Sequence, residues 1–500
     1  MDRTRTLTAA ERNFFSLLAD TIFSNPFSRE QGEIDFLLAD YLDSAPPTQD
    51  INRYDALMPI LDQRLSVLES DGIVGLDSIQ AQDRQLLEYA FLFQTYHRHL
   101  DDFDKLIQKQ NLAGDKPVSV GFAKTLLGSL HKRGFSWDEA LRYIALFYQL
   151  RRAYYFIENA LVGDCPSMEA LRRALWNNVF TADIRAYGNL FWNRMEDFST
   201  LLLGETGSGK GSAAAAIGRS GLIPFDPQTH RFEYSFHETF IATNLSQFPE
   251  TLIESELFGH RKGAFTGAVD NHKGLFERCS PHGSLFLDEI GELTPPVQIK
   301  LLNVLQERSF TPVGSHSVER FEGRVIAATN QDLQSLRRQK RFRDDFFYRL
   351  SSDIIEVPPL RCRIREKPSE LEQLVRLLVT RMTGQSTSDF EARILETLST
   401  ELPQDYPWPG NVRELEQAIR RIILTGHYQG AVPTDSTGYL QQASQGALSA
   451  QELLSGYCRM LYKKSGTYEA VAKQTALDRR TVKKYIENSA TQRSINPAPY

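Results

Sequence analysis

The stretch Thr200-Leu201-Leu202-Leu203-Gly204-Glu205-Thr206-Gly207-Ser208-Gly209-Lys210-Gly211 is an apolar run that leads directly into a glycine-rich turn with a lysine near its end. Glycines let such a turn curl so that backbone amides face one point, and Lys210 adds a positive charge there. Small helix-forming residues follow at 213–217. A purely structural glycine turn is the alternative, but strand, turn and helix in this order predict a phosphate-binding loop.

A second apolar run, residues 284–287, ends in two carboxylates, Asp288 and Glu289. Alone, this pattern is usually a strand that meets solvent. Downstream of a phosphate-binding loop it predicts that Asp288 holds hydrated Mg²⁺ and that Glu289 polarises a water molecule. The serine or threonine that usually follows the loop lysine is Gly211 here, so no hydroxyl from that position can bind magnesium.

Further apolar runs at 240–242, 325–328 and 354–357 are separated by helical stretches. This alternation predicts an α/β layer with a largely parallel sheet, which we assign to residues 173–358. Downstream, residues 359–427 are predicted to be a helical lid. Residues 428–448 read as a linker rich in glycine and polar residues.

Residues 1–172 are predicted to be almost entirely helical. Apolar positions recur at helical spacing, and two capping boxes begin at Thr8 and Ser136. The fold class is therefore multidomain: an all-α N-terminal regulatory or sensor domain, an α/β P-loop core with a helical lid, and a small all-α unit at residues 449–490.

Two features of the N-terminal domain have alternative interpretations. His97 and Asp101 lie one helical turn apart and could be metal ligands, but a solvated acidic face is favoured. A cluster of aromatic residues could line a ligand pocket, but packing of a helical core is favoured. These aromatic residues are Tyr143, Phe147, Tyr148, Tyr154, Tyr155 and Phe156.

Charge is distributed unevenly along the 500 residues, which carry 57 basic and 63 acidic side chains for a formal net charge of −6. Residues 1–100 hold 8 basic and 16 acidic side chains, whereas residues 458–493 hold 9 basic and 3 acidic. A basic tip on an acidic chain is the asymmetry expected if only that tip contacts nucleic acid.

Composition also limits the class of protein. No stretch of the sequence is long and apolar enough to span a membrane, and the first residues lack the apolar segment of a secretory signal. The four cysteines lie far apart with no Cys-x-x-Cys pair, so neither a disulfide framework nor a zinc site is expected. These features predict a cytoplasmic protein without membrane contact.

Between the two phosphate-site motifs lie Glu254-Ser255-Glu256-Leu257-Phe258-Gly259-His260 and Gly263-Ala264-Phe265-Thr266-Gly267-Ala268. Four later motifs follow in order: AATN at 327–330, FRDDFFYRL at 342–350, PPLR at 358–361 and WPGNVREL at 408–415. The ordered set resembles the central domain of the bacterial sigma-54-dependent activators, which are AAA+ ATPases also called enhancer-binding proteins. The resemblance covers residues 198–425 and implies an AAA+ core that binds ATP through residues 204–211 and Mg²⁺ through Asp288.

The resemblance also implies roles for single residues. Asn244 is similar to the switch asparagine that pairs with the catalytic Glu289. Asn330 resembles sensor I, which reports the γ-phosphate, and Arg413 resembles sensor II on the lid.

Arg343 and Arg349 resemble the arginine fingers of the same family. A guanidinium stabilises charge on the transferred phosphoryl group, and a finger that acts from a neighbouring subunit requires a ring. The family form is a homo-hexamer, with dimers as an inactive form. A surface ion pair is the alternative interpretation for either arginine.

The hexapeptide at residues 263–268 is the signature loop of that family. Gly263 and Gly267 permit a sharp reversal, which would put Phe265 and Thr266 at the tip. An exposed aromatic side chain is costly unless something binds it. A plain hairpin turn is the alternative, whereas the resemblance implies a contact loop for sigma-54 and the RNA polymerase holoenzyme.

At the basic tip, residues 468–472 and 477–486 have the spacing of a helix-turn-helix. They resemble the Fis-type unit of these activators, which implies binding to enhancer-like double-stranded DNA. A charged helical cap is the alternative. The candidate DNA contacts are Arg479, Arg480, Thr481, Lys483 and Lys484.

Three segments depart from the family pattern. Gly211 stands where the family often has an acidic residue, and Leu245-Ser246-Gln247 replaces the usual small or apolar residues after Asn244. The third is Arg361-Cys362-Arg363-Ile364-Arg365-Glu366-Lys367 before the lid.

Residues and resemblance together predict a transcriptional activator that binds upstream DNA and hydrolyses ATP to remodel closed complexes of sigma-54 RNA polymerase. The alternative is an AAA+ ATPase that remodels a different protein and has a vestigial DNA-binding tail. A DNA-binding protein with a dead ATPase is disfavoured because Lys210, Asp288 and Glu289 are all present.

Overall fold

A computed structural model describes residues 5–28, 53–385, 388–430 and 449–491 of the chain. The chain divides into two compact units, Met1–Gly426 and His427–Tyr500. The linker predicted at residues 428–448 lies outside the described residues from residue 431 onward.

A five-stranded parallel sheet forms the centre of the first unit, with strand order β4-β5-β8-β1-β9. The strands are β1 Thr200–Leu203, β2 Phe225–Asp226, β3 Arg231–Phe232, β4 Phe240–Asn244, β5 Ser284–Asp288, β6 Ser309–Phe310, β7 Glu319–Arg320, β8 Arg324–Thr329 and β9 Asp353–Glu356. β2–β3 and β6–β7 are small antiparallel ribbons. The five apolar runs of the sequence thus form the predicted parallel sheet, and the α/β core is confirmed.

Helices precede the sheet, as predicted. They are α1 Ala9–Phe23, α2 Arg53–Ser70, α3 Ala81–Arg98, α4 Leu100–Ala113, α5 Ala123–Lys132, α6 Trp137–Ala160 and α7 Pro166–Phe180. The capping boxes at Thr8 and Ser136 are present: each hydroxyl accepts from the amide three residues on, and that residue's carboxylate accepts from the cap amide. Short helical turns at residues 184–186, 187–191 and 195–197 lead into β1.

The remaining helices of the first unit cover the sheet and form the lid. Those of the core are α8 Lys210–Gly218, α9 Glu250–Phe258, α10 Leu275–Arg278, α11 Pro295–Glu307, α12 Leu333–Arg338 and α13 Asp344–Leu350. Those of the lid are α14 Leu360–Glu366, α15 Ser369–Thr383, α16 Ser388–Glu401 and α17 Asn411–Thr425. The predicted helical lid is therefore confirmed.

One hydrophobic core joins the N-terminal helices to a face of the sheet. Successive strand residues point to opposite faces, so Leu202 and Ile326 enter this core while their neighbours enter a second one. Residue 172, at which the sequence analysis divided the chain, falls inside α7, and Trp176 and Phe180 of that helix stay buried in the shared core. A division inside a buried helix has no physical break, so the N-terminal helices and the sheet form one unit.

The structure corrects one interpretation of the N-terminal region: His97 is partly buried with its ring against Phe93, so it does not lie on a solvated acidic face. His97 donates from Nδ1 to Phe93 O at 2.9 Å, and burial lowers the pKa of His97 to about 4, so the ring is neutral at pH 7. Within the described ranges, no three His, Cys, Asp or Glu side chains form a cluster that could hold a metal ion. Phe147 and Tyr148 are buried in the core. In those same ranges, no helix is long and apolar enough to cross a bilayer.

Candidate functional site

The turn between β1 and α8 forms a cradle around the Lys210 side chain. Gly207 and Gly209 have φ values of +77° and +113°, a backbone conformation that glycine adopts without strain. Lys210 is 7% exposed, and its Nζ lies 2.8 Å from Gly204 O and 3.1 Å from Glu205 O. The ammonium group is thus held inside the loop.

The carboxylates lie at the same edge of the sheet, because the carboxyl ends of parallel strands meet there. Glu289 follows β5 with φ +57°, and its amide donates to Asp288 Oδ1 at 3.0 Å. Asn330 follows β8; its backbone hydrogen-bonds Glu289, and its Nδ2 donates to Thr206 Oγ1 at 2.6 Å. Residues at the ends of two neighbouring strands, β5 and β8, therefore lie beside the loop.

Electrostatic coupling links the lysine to the two carboxylates. Burial raises the pKa of Glu289, the charge of Asp288 raises it further, and Lys210 opposes the shift. Burial lowers the pKa of Lys210, whereas Asp288 and Glu289 oppose that shift. A carboxylate with a raised pKa beside a buried cation is typical of a catalytic site.

The cradle fits the phosphates of a nucleotide. The Ser208 hydroxyl is buried without a hydrogen-bond partner in the described part of the chain, so it is available to a ligand. Lys210 and the amides at the start of α8 suit phosphate oxygens, and Asp288 suits a magnesium ion. A Cβ added at Gly211 would meet nothing within 4 Å, which leaves room beside the loop where the usual hydroxyl is missing.

Asn411 ties the lid to this loop. It is fully buried with φ +53°; its Oδ1 accepts from Leu360 N at 2.8 Å, and its Nδ2 donates to Thr206 O at 3.0 Å and Glu205 Oε2 at 3.1 Å. Hydrogen bonds from Arg361 to Glu205 lower the pKa of that carboxyl group. The sequence analysis gave Asn411 no role, although asparagine directly after Pro-Gly is a signal for a left-handed position.

The loop glycine Gly207 is packed directly against the lid. Its carbonyl accepts from Val412 N at 3.1 Å, and an added Cβ would overlap Gly410 O and lie 2.9 Å from Arg413 Cβ. Arg413 therefore stands beside the loop, as expected of sensor II. The positive charge of Arg413 also contributes to the lowered pKa of Lys210.

Gly207→Ala should therefore destabilise the first unit by about 1 kcal/mol or more. A positive φ is strained for alanine, and its methyl group would clash with the lid at Gly410 O. We expect a lower midpoint of thermal unfolding and weaker nucleotide binding. Gly211→Ala is the matched control: its Cβ meets open space in a helix, where alanine is favoured over glycine by about 1 kcal/mol. Equal unfolding midpoints for the two variants would contradict the packing argument.

Asn244 lies next to the carboxylates but contacts a different partner from the one predicted. It pairs in register with Asp288 across β4 and β5. Its Oδ1 accepts from Ser246 N at 2.9 Å and Ser246 Oγ at 2.7 Å, and among the described hydrogen bonds none joins it to Glu289. The switch role of Asn244 stays a prediction.

The two candidate finger arginines differ in their surroundings. Arg343 is exposed and forms an ion pair with Asp345 at 2.7 Å. Arg349 is half-buried and donates from Nε and Nη2 to Leu305 O at 2.9 and 2.6 Å. Exposed ion pairs contribute little stability, so Arg343 is the arginine that can leave its partner at small cost.

Residues 263–268 form a reversal with an exposed tip. Gly263 N donates to Ala268 O at 2.8 Å, and both glycines have positive φ values. Phe265 is 39% exposed with its ring 4.9 Å from that of His260, and Thr266 is exposed. The predicted sharp turn with Phe265 and Thr266 at its tip is confirmed.

The described residues of the second unit include the helices α18 Ala450–Ser465, α19 Tyr468–Thr475 and α20 Arg479–Thr491. A small core of Cys458, Leu461, Val471 and Val482 joins them. Three residues separate α19 from α20, and Ala476 has φ +56° in that turn.

The candidate DNA contacts lie at the start of α20. Arg479, Arg480, Lys483 and Lys484 are exposed. Asp478 caps the helix: its Oδ1 accepts from the amides of Arg480 and Thr481 at 2.9 and 3.1 Å, and its Oδ2 accepts from Thr481 Oγ1. Arg479 also pairs with Glu469 at 2.9 Å.

Two parts of this chain match known protein families. Residues 189–356 match the family described as the Sigma-54 interaction domain, and residues 365–450 match the AAA+ ATPase lid domain. The chain contains a sigma-54 interaction domain with an AAA+ lid. That domain includes the loop at 204–211, both carboxylates and the hexapeptide at 263–268.

Part of this chain is similar in sequence to several regulatory proteins. The Nif-specific regulatory protein of Azotobacter vinelandii is 40% identical over 278 residues, which are 55% of this chain and 46% of that protein. The DNA-binding transcriptional regulator NtrC of Azospirillum brasilense is 37% identical over 262 residues, 52% of this chain and 47% of that protein. The chain thus spans about half the length of the relatives that it matches. NtrX from Brucella abortus in complex with ATP is similar at 20% identity and a TM-score of 0.40, over 74% of this chain and 80% of that one.

Proposed function

We propose that this protein is a cytoplasmic transcriptional activator that binds upstream DNA and hydrolyses ATP to remodel closed complexes of sigma-54 RNA polymerase. One observation carries the proposal: a sigma-54 interaction domain presents an exposed loop at residues 263–268 on the same fold that assembles Lys210, Asp288 and Glu289. The domain match supports the partner, and the geometry of the three side chains supports the hydrolysis.

The roles of the site residues follow from their positions. Lys210 and the loop amides bind the phosphates of ATP. Asp288 would hold Mg²⁺, which would supply positive charge to neutralise the phosphoryl group. Glu289 orients the attacking water and accepts its proton, for which a raised pKa is suited. Asn330 connects Glu289 to Thr206 of the loop, so it can report the state of the γ-phosphate.

Hydrolysis in this proposal needs a second copy of the chain. Arg343 is exposed and its ion pair with Asp345 is easily exchanged, so it can reach the phosphates of a neighbouring subunit in a homo-hexameric ring. Arg349 is bound to Leu305 O of its own chain, which suits an arginine that shapes the interface beside Arg343. Asn244 and Arg413 complete the set as switch and sensor II.

The loop at residues 263–268 is proposed to contact sigma-54. Hydrogen bonds at its base hold it: Arg261 N donates to Val313 O at 3.0 Å, and His260 N donates to His272 O at 3.0 Å. An anchored loop with an exposed aromatic tip transmits movement of its domain to whatever binds the tip. Because the tip carries no group that reads phosphate, it can only transmit the work of hydrolysis to its partner.

A pull-down with sigma-54 as bait tests this contact. We expect retention of the full chain with ADP and a phosphate-mimicking metal fluoride, and loss of retention for Thr266→Ala with ATPase activity kept within a few-fold. Thr229→Ala is the matched control, since Thr229 is an exposed threonine in the β2–β3 turn. Equal retention of Thr266→Ala and parent would contradict the proposal that the loop contacts sigma-54. It would favour the alternative that the protein remodels a different partner.

The second unit is proposed to be a Fis-type helix-turn-helix that binds enhancer-like DNA. Its three-residue turn with a left-handed Ala476 and its exposed cations on α20 support this assignment. A single unit binds weakly, so we expect paired half-sites about 34 Å or a multiple apart, bound by two subunits.

Removal of residues 449–500 should abolish site-specific DNA binding and leave the Lys210-dependent ATPase in place. Lys483→Ala in the full chain should weaken binding to all sequences and lower the salt dependence of log K by about 1 if the lysine contacts phosphate. Footprinting at several salt concentrations checks both. A truncated protein that protects the same DNA would place recognition elsewhere in the chain.

A further inference from the structure

The carboxyl-terminal end of the P-loop helix α8 is held by the N-terminal helix α6. Arg152 donates from Nη1 to Arg219 O and from Nη2 to Gly221 O, both at 2.7 Å, and Gln149 Nε2 donates to Ser220 O at 3.0 Å. Arg219 is the C-cap of α8 and the other two carbonyls follow it directly, at the end of the helix where partial negative charge accumulates. Helix α6 therefore supplies both hydrogen-bond donors and a cation to that end of α8.

Arg152 is an unusual residue to find in this position. It is 0% exposed, and its guanidinium lies 4.4 Å from the centre of the Tyr148 ring. Among the ion pairs of the described residues none includes Arg152, so the carbonyl oxygens and the ring alone balance its charge. Burial of a charge is costly, and well-packed apolar residues often replace buried ionic groups without loss of stability. Stability alone therefore gives no reason for arginine here.

The position of α8 decides the position of Lys210. The helix has nine residues, from Lys210 to Gly218, and spans about 13 Å at 1.5 Å per residue. The glycine-rich loop before it provides little rigidity, whereas a short helix moves as one body. A constraint on the carboxyl end of α8 thus acts on the lysine at its other end.

The segment directly after α6 also contacts α14 and α15 of the lid. These contacts limit how far α6 can move together with α8. Glu370 is 0% exposed and accepts from the amides of Asp164 and Cys165 at 2.6 and 2.9 Å. Arg363 pairs with Glu370 at 2.7 Å and donates to Val162 O at 2.6 Å. Arg363 belongs to the segment before the lid that departs from the family pattern, and this contact gives that segment a role.

We propose that Arg152 is a positioning residue for ATP hydrolysis, which holds α8 against α6 and so sets where Lys210 meets the phosphates. The proposal rests on the proposed ATPase function. It makes the N-terminal helical region part of the hydrolytic machinery, because any signal that shifts α6 moves the P-loop helix.

The experiment compares three full-length variants with the parent. Arg152→Met removes the donors and keeps an apolar stem, and Arg152→Lys keeps a cation that can reach a carbonyl. Arg151→Met is the control: Arg151 is the preceding residue of α6, but it pairs with Asp104 at 2.6 Å within the N-terminal region. The readouts are kcat and KM for ATP, and amide hydrogen exchange of residues 210–218 without nucleotide.

We expect Arg152→Met to lower kcat/KM for ATP at least tenfold and to speed exchange in α8. Arg151→Met should stay within twofold on both readouts, and Arg152→Lys should recover part of the loss. An unchanged kcat/KM in Arg152→Met, or equal losses in both methionine variants, would overturn the proposal. If Arg152→Met does not fold, Arg152→Lys is compared with the parent: a lower kcat/KM together with faster exchange in α8 supports the proposal, and parental values on both readouts overturn it.

Failure of the proposed function gives a different result. If the parent protein turns over ATP no faster than Lys210→Ala, the proposed ATP hydrolysis is refuted. Amide hydrogen exchange in α8 is measured without nucleotide, so it still tests the anchoring by Arg152. Faster exchange confined to α8 in Arg152→Met would then still support the anchoring, and unchanged exchange would overturn it.

Discussion

Glu289→Gln protein is expected to bind ATP as tightly as the parent and to lose hydrolysis by about 10²–10⁴-fold. Lys210 and the loop amides are untouched, so binding persists, while an amide cannot accept a proton from water. Nucleotide binding by calorimetry and phosphate release check the two halves of this prediction. Glu292→Gln is the matched control, since Glu292 is an exposed glutamate three residues on. Parental turnover by Glu289→Gln would show that another group activates the water.

The same residue gives the rate a pH dependence. Glu289 works as a base only when it is deprotonated, and burial together with Asp288 raises its pKa. The rate is therefore expected to fall on acidification at a higher pH than an exposed glutamate would give, and the parent profile measures this.

Arg343→Ala is expected to lower ATP turnover by about 10³–10⁵-fold, the contribution of an arginine finger. Mixing it with Lys210→Ala should partly restore hydrolysis, because a mixed ring places an intact finger beside an intact phosphate loop. Turnover of the mixture, with mixed rings verified by native mass, measures this. Arg341→Ala is the control, since Arg341 is an exposed arginine two residues earlier. Verified mixed rings without recovered turnover would contradict action between subunits.

The centre of the fold could be predicted because its signals are local. Each strand of the sheet has four to six residues and contains a short apolar run, and the phosphate loop is one continuous segment. The carboxyl ends of parallel strands meet at one edge, so Asp288 could be expected near Lys210. Asn330 is expected there from the family resemblance.

The contacts of the N-terminal region could not be predicted in the same way. Arg152 meets carbonyls 67 and 69 residues away, and Glu370 meets amides 205 and 206 residues away. No spacing in the sequence encodes such pairs, since they depend on how α6 and α7 pack on the sheet. For the same reason the division at residue 172 cut through a helix that belongs to the shared core.

ATP-dependent promoter opening by the purified full chain tests the central claim most directly. The reaction contains sigma-54 RNA polymerase and a promoter linked to the DNA that the protein footprints, and strand opening is measured. The account predicts opening with ATP, but not with a non-hydrolysable analogue and not with Thr266→Ala protein that still hydrolyses ATP. Parental opening by Thr266→Ala, or opening without hydrolysis, would contradict it.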